Sequence, residues 1–369
     1  MCIRDSAHSI QQAESPIVSF FVYSFRFLTA GACDVSQTVG YVLSFVWLSP
    51  PHPTLHIEFH RLMAAWYEVS NVDEIPSPAL LVYPDRIRAN LQEMTRWAGA
   101  DRLRPHVKTH KIPQIIRMKL DAGISKFKTS TIAETEMTAA AGGTDILMAY
   151  QPVGPNISRL VELVRSFPHV NFSTIVDEPM LAEALSIAAT DQDVVIDVYI
   201  DLNVGMNRTG ILPNDRALDL YRGLNRLPGL RAAGLHAYDG HIHDTDEQVV
   251  RAQVETAFEP VWKLKASIES EGLAVPAVVG CGSVTSMVMA GKHDMEVSAG
   301  TSVLWDAGQP TFTPAIDLLN AAVLIARVIS RPTSETFCVE MGHKAVASEM
   351  APPRVHFFGH EDVASVLHS

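Results

Sequence analysis

The segment LRPHVKTHK, residues 103–111, decides the fold, because it opens a regular series of predicted strands and helices. Seven further candidate strands follow it, and segments of helical character lie between them. Eight strands that alternate with helices predict an α/β fold, a (β/α)8 barrel of the TIM type. An open doubly wound sheet is the alternative, but no Gly-x-Gly-x-x-Gly follows an early strand. The predicted strands are 103–109, 126–130, 145–150, 171–176, 194–201, 232–238, 277–281 and 295–298, and the clearest predicted helices are 112–122, 132–141, 156–166, 179–188 and 246–270.

The two ends of the chain differ from this alternating middle part. Residues 318–369 contain β-branched and alternating stretches such as AAVLIARVISRP, which predict a smaller antiparallel β domain that we expect to be truncated. Residues 1–62 hold two apolar stretches, but Arg26 and Asp34 interrupt them before either reaches the roughly 20 residues of a membrane-spanning helix. We expect this extension to lie outside the fold and the barrel to span residues 75–317.

The composition is typical of a globular enzyme that acts on small molecules. Apolar residues make up 47% and charged residues 19% of the chain, as in a well-packed globular protein. The formal net charge is −12 without a long basic run, so neither nucleic acid nor an acidic membrane is an expected partner. The four cysteines lack Cys-x-x-Cys spacing, which argues against a zinc site and a disulfide framework and predicts a reducing, cytoplasmic location.

Four basic side chains, Arg104, His106, Lys108 and His110, alternate along the first predicted strand and should share one face. A barrel interior does not accommodate four cationic groups without a ligand, whereas an edge strand could keep them in water. A lysine that is crowded by cations and partly removed from water has a lowered pKa, which leaves a neutral amine to condense with an aldehyde. The same cations attract phosphate. Pyridoxal 5'-phosphate (PLP) carries both groups, so the pattern predicts a PLP site.

The same segment resembles the sequence around the cofactor lysine in the D-threonine aldolase and D-serine dehydratase-like family of PLP enzymes, which have the alanine racemase-type barrel of fold type III. The resemblance extends from about Ile75 to the end of the chain. It implies that Lys108, rather than Lys111, forms the Schiff base with PLP, and that His106 binds the cofactor beside it.

Two further motifs resemble the cofactor-binding turns of that family. DLNVGMNRTG, residues 201–210, is similar to the D-x-G-M-x-R-x-G turn, which implies that Arg208 lies near the ring oxygen of PLP. GCGSVTS, residues 280–286, follows the seventh predicted strand, where barrels commonly bind phosphate, although a plain Ser/Thr helix cap would have the same pattern. The residues expected to hold the phosphate are Gly282, Ser283 and Thr285.

A histidine-rich segment, GLHAYDGHIHD at residues 234–244, is similar to the family's G-L-x-x-Y-x-G-H stretch. The similarity implies that Tyr238 lies against the pyridine ring and that His241 and His243 lie near the substrate as catalytic acid or base candidates. Three histidines could also indicate zinc. Their spacing fits no simple pair of ligands on a helix or a strand, so no metal ligand is assigned among them.

Many members of the family hold a divalent metal near PLP through a His-x-Cys or His-x-Asp pair late in the C-terminal domain. No such pair precedes Ser369, and His360-Glu361-Asp362 lies upstream of where the pair belongs, so we expect these three residues at the surface. We therefore expect a divalent metal in full-length relatives and no ligands for it in this chain.

The resemblance implies a PLP-dependent lyase whose substrate is a β-hydroxy D-amino acid. Retro-aldol cleavage to glycine and an aldehyde, as in D-threonine aldolase, fits the overall pattern best, and D-serine dehydratase-type release of ammonia is the close alternative. An amino-acid racemase is a further alternative, but it needs a tyrosine where this chain has Ser302. A PLP-binding protein without turnover is the last alternative. Relatives pair their subunits, which implies a homodimer.

Overall fold

The computed structural model describes residues 2–4, 17–22, 66–290, 294–313, 316–342, 345–346, 354–358 and 364–366. The chain forms two compact units. The larger unit comprises Pro84–Trp305 and Phe312–Ala321, and the smaller unit comprises Met1–Tyr83, Asp306–Thr311 and Ala322–Ser369. All eight predicted barrel strands lie in the larger unit.

Strands and helices are numbered along the chain. The strands of the described residues are β1 (Cys2–Arg4), β2 (Ile17–Val22), β3 (Ala79–Val82), β4 (Lys126–Thr129), β5 (Asp145–Met148), β6 (Asn171–Val176), β7 (Ile196–Leu202), β8 (Leu230–Ala237), β9 (Ala277–Gly280), β10 (Glu296–Val297), β11 (Ala322–Thr333), β12 (Thr336–Val339), β13 (Val355–Phe357) and β14 (Ala364–Val366). The helices are α1 (Pro84–Ala98), α2 (Pro113–Asp121), α3 (Ile132–Ala140), α4 (Pro155–Ser166), α5 (Pro179–Asp191), α6 (Asp215–Leu224), α7 (Glu247–Ser270), α8 (Ser286–Ala290) and α9 (Gln309–Phe312).

The larger unit is built on a parallel sheet in which each strand from β4 to β10 pairs with the next. Isolated parallel bridges join Leu103 to Val297 of β10 and His106 to Lys128 of β4. The segment around residues 103–106 therefore takes the eighth strand position and joins the two edges of the sheet. The (β/α)8 barrel predicted from the sequence is confirmed, and each predicted strand has its counterpart.

The helices of the barrel begin where the local sequence favours a helix start. Thr131 caps α3, because its Oγ1 accepts the backbone N–H of Glu134 at 3.1 Å. Pro113, Pro155 and Pro179 open α2, α4 and α5, where a missing N–H costs no hydrogen bond. The five helices predicted from the sequence are confirmed as α2 to α5 and α7. No helix in the described part of the chain is both long and apolar enough to cross a membrane.

The smaller unit is an antiparallel sheet with the strand order β13-β2-β11-β12-β1-β14, in which β3 also pairs with β11. This confirms the predicted antiparallel β domain, and β3, which precedes the barrel in the chain, belongs to its sheet. Of the first 65 residues, the structure describes only β1 and β2. The predicted boundaries at 1–62, 75–317 and 318–369 stay predictions.

An ion network surrounds the buried Arg104 at the amino-terminal ends of the barrel strands. Arg104, which is 2% exposed, donates to Asp145 at 2.7 and 3.1 Å and to Glu296 at 2.5 Å. Lys126 donates to the other carboxylate oxygen of Glu296 at 2.5 Å. Asp145, Lys126 and Glu296 are the first residues of β5, β4 and β10, so the network lies at the end of the barrel away from the carboxyl ends of the strands.

Candidate active site

Three basic side chains converge on one aromatic ring at the carboxyl ends of the barrel strands. The Nζ atoms of Lys108 and Lys128 each lie 5.7 Å from the centre of the Tyr238 ring, and Cζ of Arg208 lies 5.1 Å from it. These distances are typical of cation–π contacts. Gly240 packs closely against the Tyr238 ring. A Cβ at this position would lie 2.3 Å from Cε1 of Tyr238, so a side chain here would collide with the ring. Lys108, Lys128 and Arg208 are called the basic cluster below.

Lys108 lies in a turn that follows the first strand position. Its backbone N–H donates to Nδ1 of His106 at 3.1 Å, and the backbone N–H of Lys111 donates to the carbonyl of Val107 at 2.9 Å. The strand therefore ends earlier than the predicted residue 109. Lys108 is half-buried, whereas Lys111 is exposed and pairs with Glu134 at 3.3 Å. Of the two lysines in the motif, only Lys108 contacts the Tyr238 ring in the structure.

Within electrostatic reach of Lys128, a buried histidine and a buried aspartate form a hydrogen-bonded pair. His236 Nδ1–H donates to Oδ1 of Asp201 at 2.7 Å, and both residues are less than 5% exposed. Burial would raise the pKa of Asp201, but hydrogen bonds from His236 and Thr209 and the charge of Lys128 leave it below its usual value. Burial and the charge of Lys128 lower the pKa of His236. Asp201 is therefore ionised and His236 neutral at pH 7. This pair is called the Asp–His floor.

The glycine-serine loop after β9 is held by hydrogen bonds on both sides. The backbone N–H of Gly282 donates to Oδ1 of Asp239 at 2.9 Å and to Oγ1 of Thr285 at 3.2 Å. Ser283 and Thr301 share a hydroxyl hydrogen bond of 2.5 Å. Burial raises the pKa of Asp239. The three residues predicted to hold a phosphate thus lie together in one ordered loop.

This loop is connected to the segment that carries Lys108. Thr301 donates its backbone N–H to Oγ of Ser283 at 3.3 Å, and the preceding residue, Gly300, packs directly on His106. A Cβ on Gly300 would lie 3.0 Å from both Cβ and the carbonyl oxygen of His106. The predicted phosphate loop, His106 and Lys108 therefore lie in one continuous set of contacts.

His241 and His243 lie in the loop that follows Tyr238. His243 Nδ1–H donates to the carbonyl of His241 at 2.6 Å, and its ring packs edge-on against Phe312 at 6.2 Å. The ring of His241 packs against Gly205. A Cβ on Gly205 would lie 2.6 Å from Nε2 of His241. The buried Nδ1 of His241 has no hydrogen-bond partner among the described residues. His241 also borders a cavity of about 490 Å³, whose other lining residues are Val204, Ile242, Ala252, Gln253, Thr256 and Ala257.

The structure corrects the prediction that the four cations of the first strand share one face and need a ligand. Arg104 is neutralised by Asp145 and Glu296 at the opposite end of the barrel. His110 turns away and lies 3.0 Å from Nζ of Lys119 on α2, because the chain leaves the strand after His106. The expectation that all four need a ligand is therefore wrong for these two residues.

Sequence reasoning missed Lys128, His236 and Asp239. The signal for Lys128 was present, because Lys126 and Lys128 alternate in a predicted strand and must share a face. His236 stands two residues before Tyr238 and shares its face for the same reason. Asp239 carries no signal, since its role depends on the loop after β9.

No group of three or more potential metal-ligating His, Cys, Asp or Glu side chains occurs within the described ranges. His356 is an exposed residue of β13. The stretch His360-Glu361-Asp362 lies outside the described residues, so its expected surface position stays a prediction.

Comparisons with known proteins identify the family. The sequence profile described as alanine racemase, N-terminal domain, matches residues 82–306, which is most of the chain. The chain belongs to this family. The crystal structure of D-threonine aldolase from Filomicrobium marinum superimposes on it with a TM-score of 0.69 at 30% identity, over 74% of this chain and 75% of that chain.

Two curated proteins with similar sequences are an aldolase and a dehydratase. D-threonine aldolase of Arthrobacter sp is 28% identical over 289 residues, which are 76% of this chain and 75% of that protein. D-threo-3-hydroxyaspartate dehydratase of Delftia sp. (strain HT23) is 29% identical over 238 residues, 63% of this chain and 62% of that protein. The chain is therefore a D-threonine aldolase-like PLP enzyme of this family, a lyase, as its motifs predicted.

Proposed function

We propose that this lyase holds PLP on Lys108 and cleaves a β-hydroxy D-amino acid to glycine and an aldehyde. The observation that carries the proposal is the convergence of Lys108, Lys128 and Arg208 on the Tyr238 ring. Its support from relatives is the name D-threonine aldolase, which two similar proteins carry.

The residues present fit PLP. Lys128 and Arg208 place positive charge around the Tyr238 ring, and positive charge attracts a phosphorylated ligand. The buried Nε2 of His236 has no partner among the residues the structure describes, so this site also offers a hydrogen-bond acceptor. PLP, once bound, would supply an electron-withdrawing ring that stabilises negative charge on the amino-acid substrate.

Each predicted residue has a task that follows from its position. If PLP is bound, Tyr238 would provide an aromatic surface for its pyridine ring and Arg208 would provide a cation for its ring oxygen. The loop after β9 would hold the phosphate through residues Gly282, Ser283 and Thr285, next to His106.

Of the two histidines, we assign the role of proton acceptor to His243. Its Nδ1–H is held by the carbonyl of His241, so Nε2 is the ring nitrogen that would accept the proton of the substrate β-hydroxyl. His241 packs against Gly205 and would position the loop that follows Tyr238. The homodimer and the cytoplasmic location stay predictions.

The cofactor assignment is tested by absorbance. Purified chain is titrated with PLP, and the visible band of the lysine-bound cofactor is recorded for the wild type, Lys108→Ala and Lys111→Ala. We expect the band in the wild type and in Lys111→Ala, because Lys111 is exposed and paired with Glu134. We expect no band in Lys108→Ala. A band that persists in Lys108→Ala and disappears in Lys111→Ala contradicts the assignment.

The reaction is tested by product analysis with D-threonine, D-serine and D-threo-3-hydroxyaspartate, and with L-threonine as the stereochemical control. Aldol cleavage releases glycine from D-threonine without ammonia. Dehydration releases ammonia and an oxo acid instead, and it is the second candidate because a similar protein is named D-threo-3-hydroxyaspartate dehydratase. Ammonia without glycine would replace the aldolase proposal with the dehydratase. Conversion of D-alanine into L-alanine without cleavage would favour a racemase. PLP binding without any product would favour a PLP-binding protein without turnover.

A further inference from the structure

A second lysine lies as close to the Tyr238 ring as the predicted cofactor lysine. Nζ of Lys128 and Nζ of Lys108 are both 5.7 Å from the ring centre. Strand pairing brings the two segments together, because Val107 donates its backbone N–H to the carbonyl of Lys128 at 2.9 Å and His106 bridges to Lys128. A basic side chain at this place needs an explanation that the family motifs do not give.

Lys128 is buried, and its charge acts on the Asp–His floor. It is 3% exposed, whereas Lys108 is half-buried. Its charge contributes to the lowered pKa of both Asp201 and His236, so all three groups lie within electrostatic reach of one another. Removing an ammonium group from water costs several kcal/mol unless charges and hydrogen bonds offset the cost. The negative charge of Asp201 offsets part of that cost.

The surroundings suit the two lysines to different tasks. Lys108 lies in a turn at the end of its strand, where an aldehyde can reach a half-buried amine. Lys128 lies inside β4 and is only 3% exposed, so an aldehyde has less access to its amine than to that of Lys108. An ammonium group in a closed site is instead a strong hydrogen-bond donor to an anionic oxygen.

We propose that Lys128 is a binding residue of the lyase site, whose ammonium group binds an anionic oxygen of the bound molecules, either the ring oxygen of PLP or the carboxylate of the amino acid. The inference rests on the proposed function and adds a residue to it. The basic cluster then contains one lysine that holds the cofactor and one that recognises charge. The carboxylate of Asp201 interacts electrostatically with the second lysine.

The test compares ligand affinities of the full chain in the wild type, Lys128→Met and Lys128→Arg. Lys126→Met is the matched control, because Lys126 lies on the same strand but pairs with Glu296 at the other end of the barrel. The dissociation constant of PLP is measured by absorbance titration without substrate. The dissociation constant of D-alanine, which lacks a β-hydroxyl and cannot be cleaved, is then measured on PLP-saturated protein.

A lost charge-assisted hydrogen bond predicts an increase of about 10- to 100-fold in one of the two constants for Lys128→Met. An increase for PLP identifies the ring oxygen as the partner, and an increase for D-alanine alone identifies the substrate carboxylate. Lys128→Arg should recover part of the affinity, and Lys126→Met should stay within twofold of the wild type. Both constants within twofold of the wild type in Lys128→Met would overturn the proposal.

Two controls keep the outcomes separate. If Lys128→Met does not unfold cooperatively, Lys128→Gln replaces it, with the same prediction for the two constants. Failure of the wild type to bind PLP would refute the proposed function and this inference together. Normal PLP binding and D-threonine cleavage by the wild type, with unchanged affinities in the variants, would refute this inference alone.

Discussion

Replacing the buried Lys119 by methionine should stabilise the protein at neutral pH and reverse that effect at high pH. Lys119 is fully buried on α2, with its Nζ 3.0 Å from Nε2 of His110. Nδ1 of His110 accepts the backbone N–H of Ile112 at 3.1 Å, so the neutral ring carries its proton on Nε2 and directs it at Lys119. A neutral amine can accept that proton, whereas an ammonium group cannot.

The magnitude follows from the pKa. Burial lowers the pKa of Lys119 from 10.5 to about 7, and burial together with the charge of Lys119 lowers the pKa of His110 well below its usual value. The unfolded chain therefore binds the lysine proton first as the pH falls. About 5 kcal/mol of stability is present above pH 10.5 and is lost between pH 10.5 and pH 7. Methionine removes this loss, but His110 is left without its partner at a cost of about 1–3 kcal/mol.

The expected result is that Lys119→Met is about 2–4 kcal/mol more stable than the wild type at pH 7 and less stable near pH 10. Urea unfolding followed by circular dichroism at pH 7, 8.5 and 10 measures the difference. Lys263→Met is the control, because Lys263 is an exposed helix residue that pairs with Glu259. A Lys119→Met variant that is less stable at pH 7, or whose stability follows the pH dependence of the wild type, would refute the reasoning.

Three further predictions concern the barrel and its assembly. Glu296→Gln breaks the buried pair with Arg104 and should lower the free energy of unfolding by about 3 kcal/mol, whereas Arg88→Ala at an exposed pair should lower it by less than about 1 kcal/mol; equal urea midpoints would contradict this. Gly205→Ala places a Cβ 2.6 Å from Nε2 of His241 at a φ of +118°, so we expect at least about a tenfold loss of kcat/KM with PLP still bound; unchanged turnover would show that this loop tolerates displacement. Light scattering should give twice the mass of one chain, and a single-chain mass at micromolar concentration would exclude the homodimer.

The barrel could be predicted from the sequence because its signal is local. Each strand is a short β-favouring run, each helix has its own start signal such as Thr131, and the two alternate regularly. Hydrogen bonds between neighbouring strands then fix the order. The same local signal placed Lys108, Arg208 and Tyr238 at the carboxyl ends of strands, where the structure brings them together.

The electrostatic partners could not be predicted, because they come from distant parts of the chain. Arg104 is 192 residues from Glu296, and no local pattern shows that the two carboxylates around Arg104 lie in the barrel interior. Alternation predicts that His110 shares a face with Lys108, but the strand ends at His106 and the His110 ring turns to Lys119 on α2. The position of Lys128 was available from alternation, yet its meaning required Tyr238 and the Asp–His floor.

The attachment of the cofactor to one lysine among three tests the central claim most directly. The full chain is incubated with PLP, reduced with borohydride, digested and mapped by mass spectrometry. We expect the reduced PLP adduct on Lys108, with Lys111 and Lys128 unmodified. An adduct on either of the other two lysines, or no adduct at saturating PLP, would contradict the proposed site.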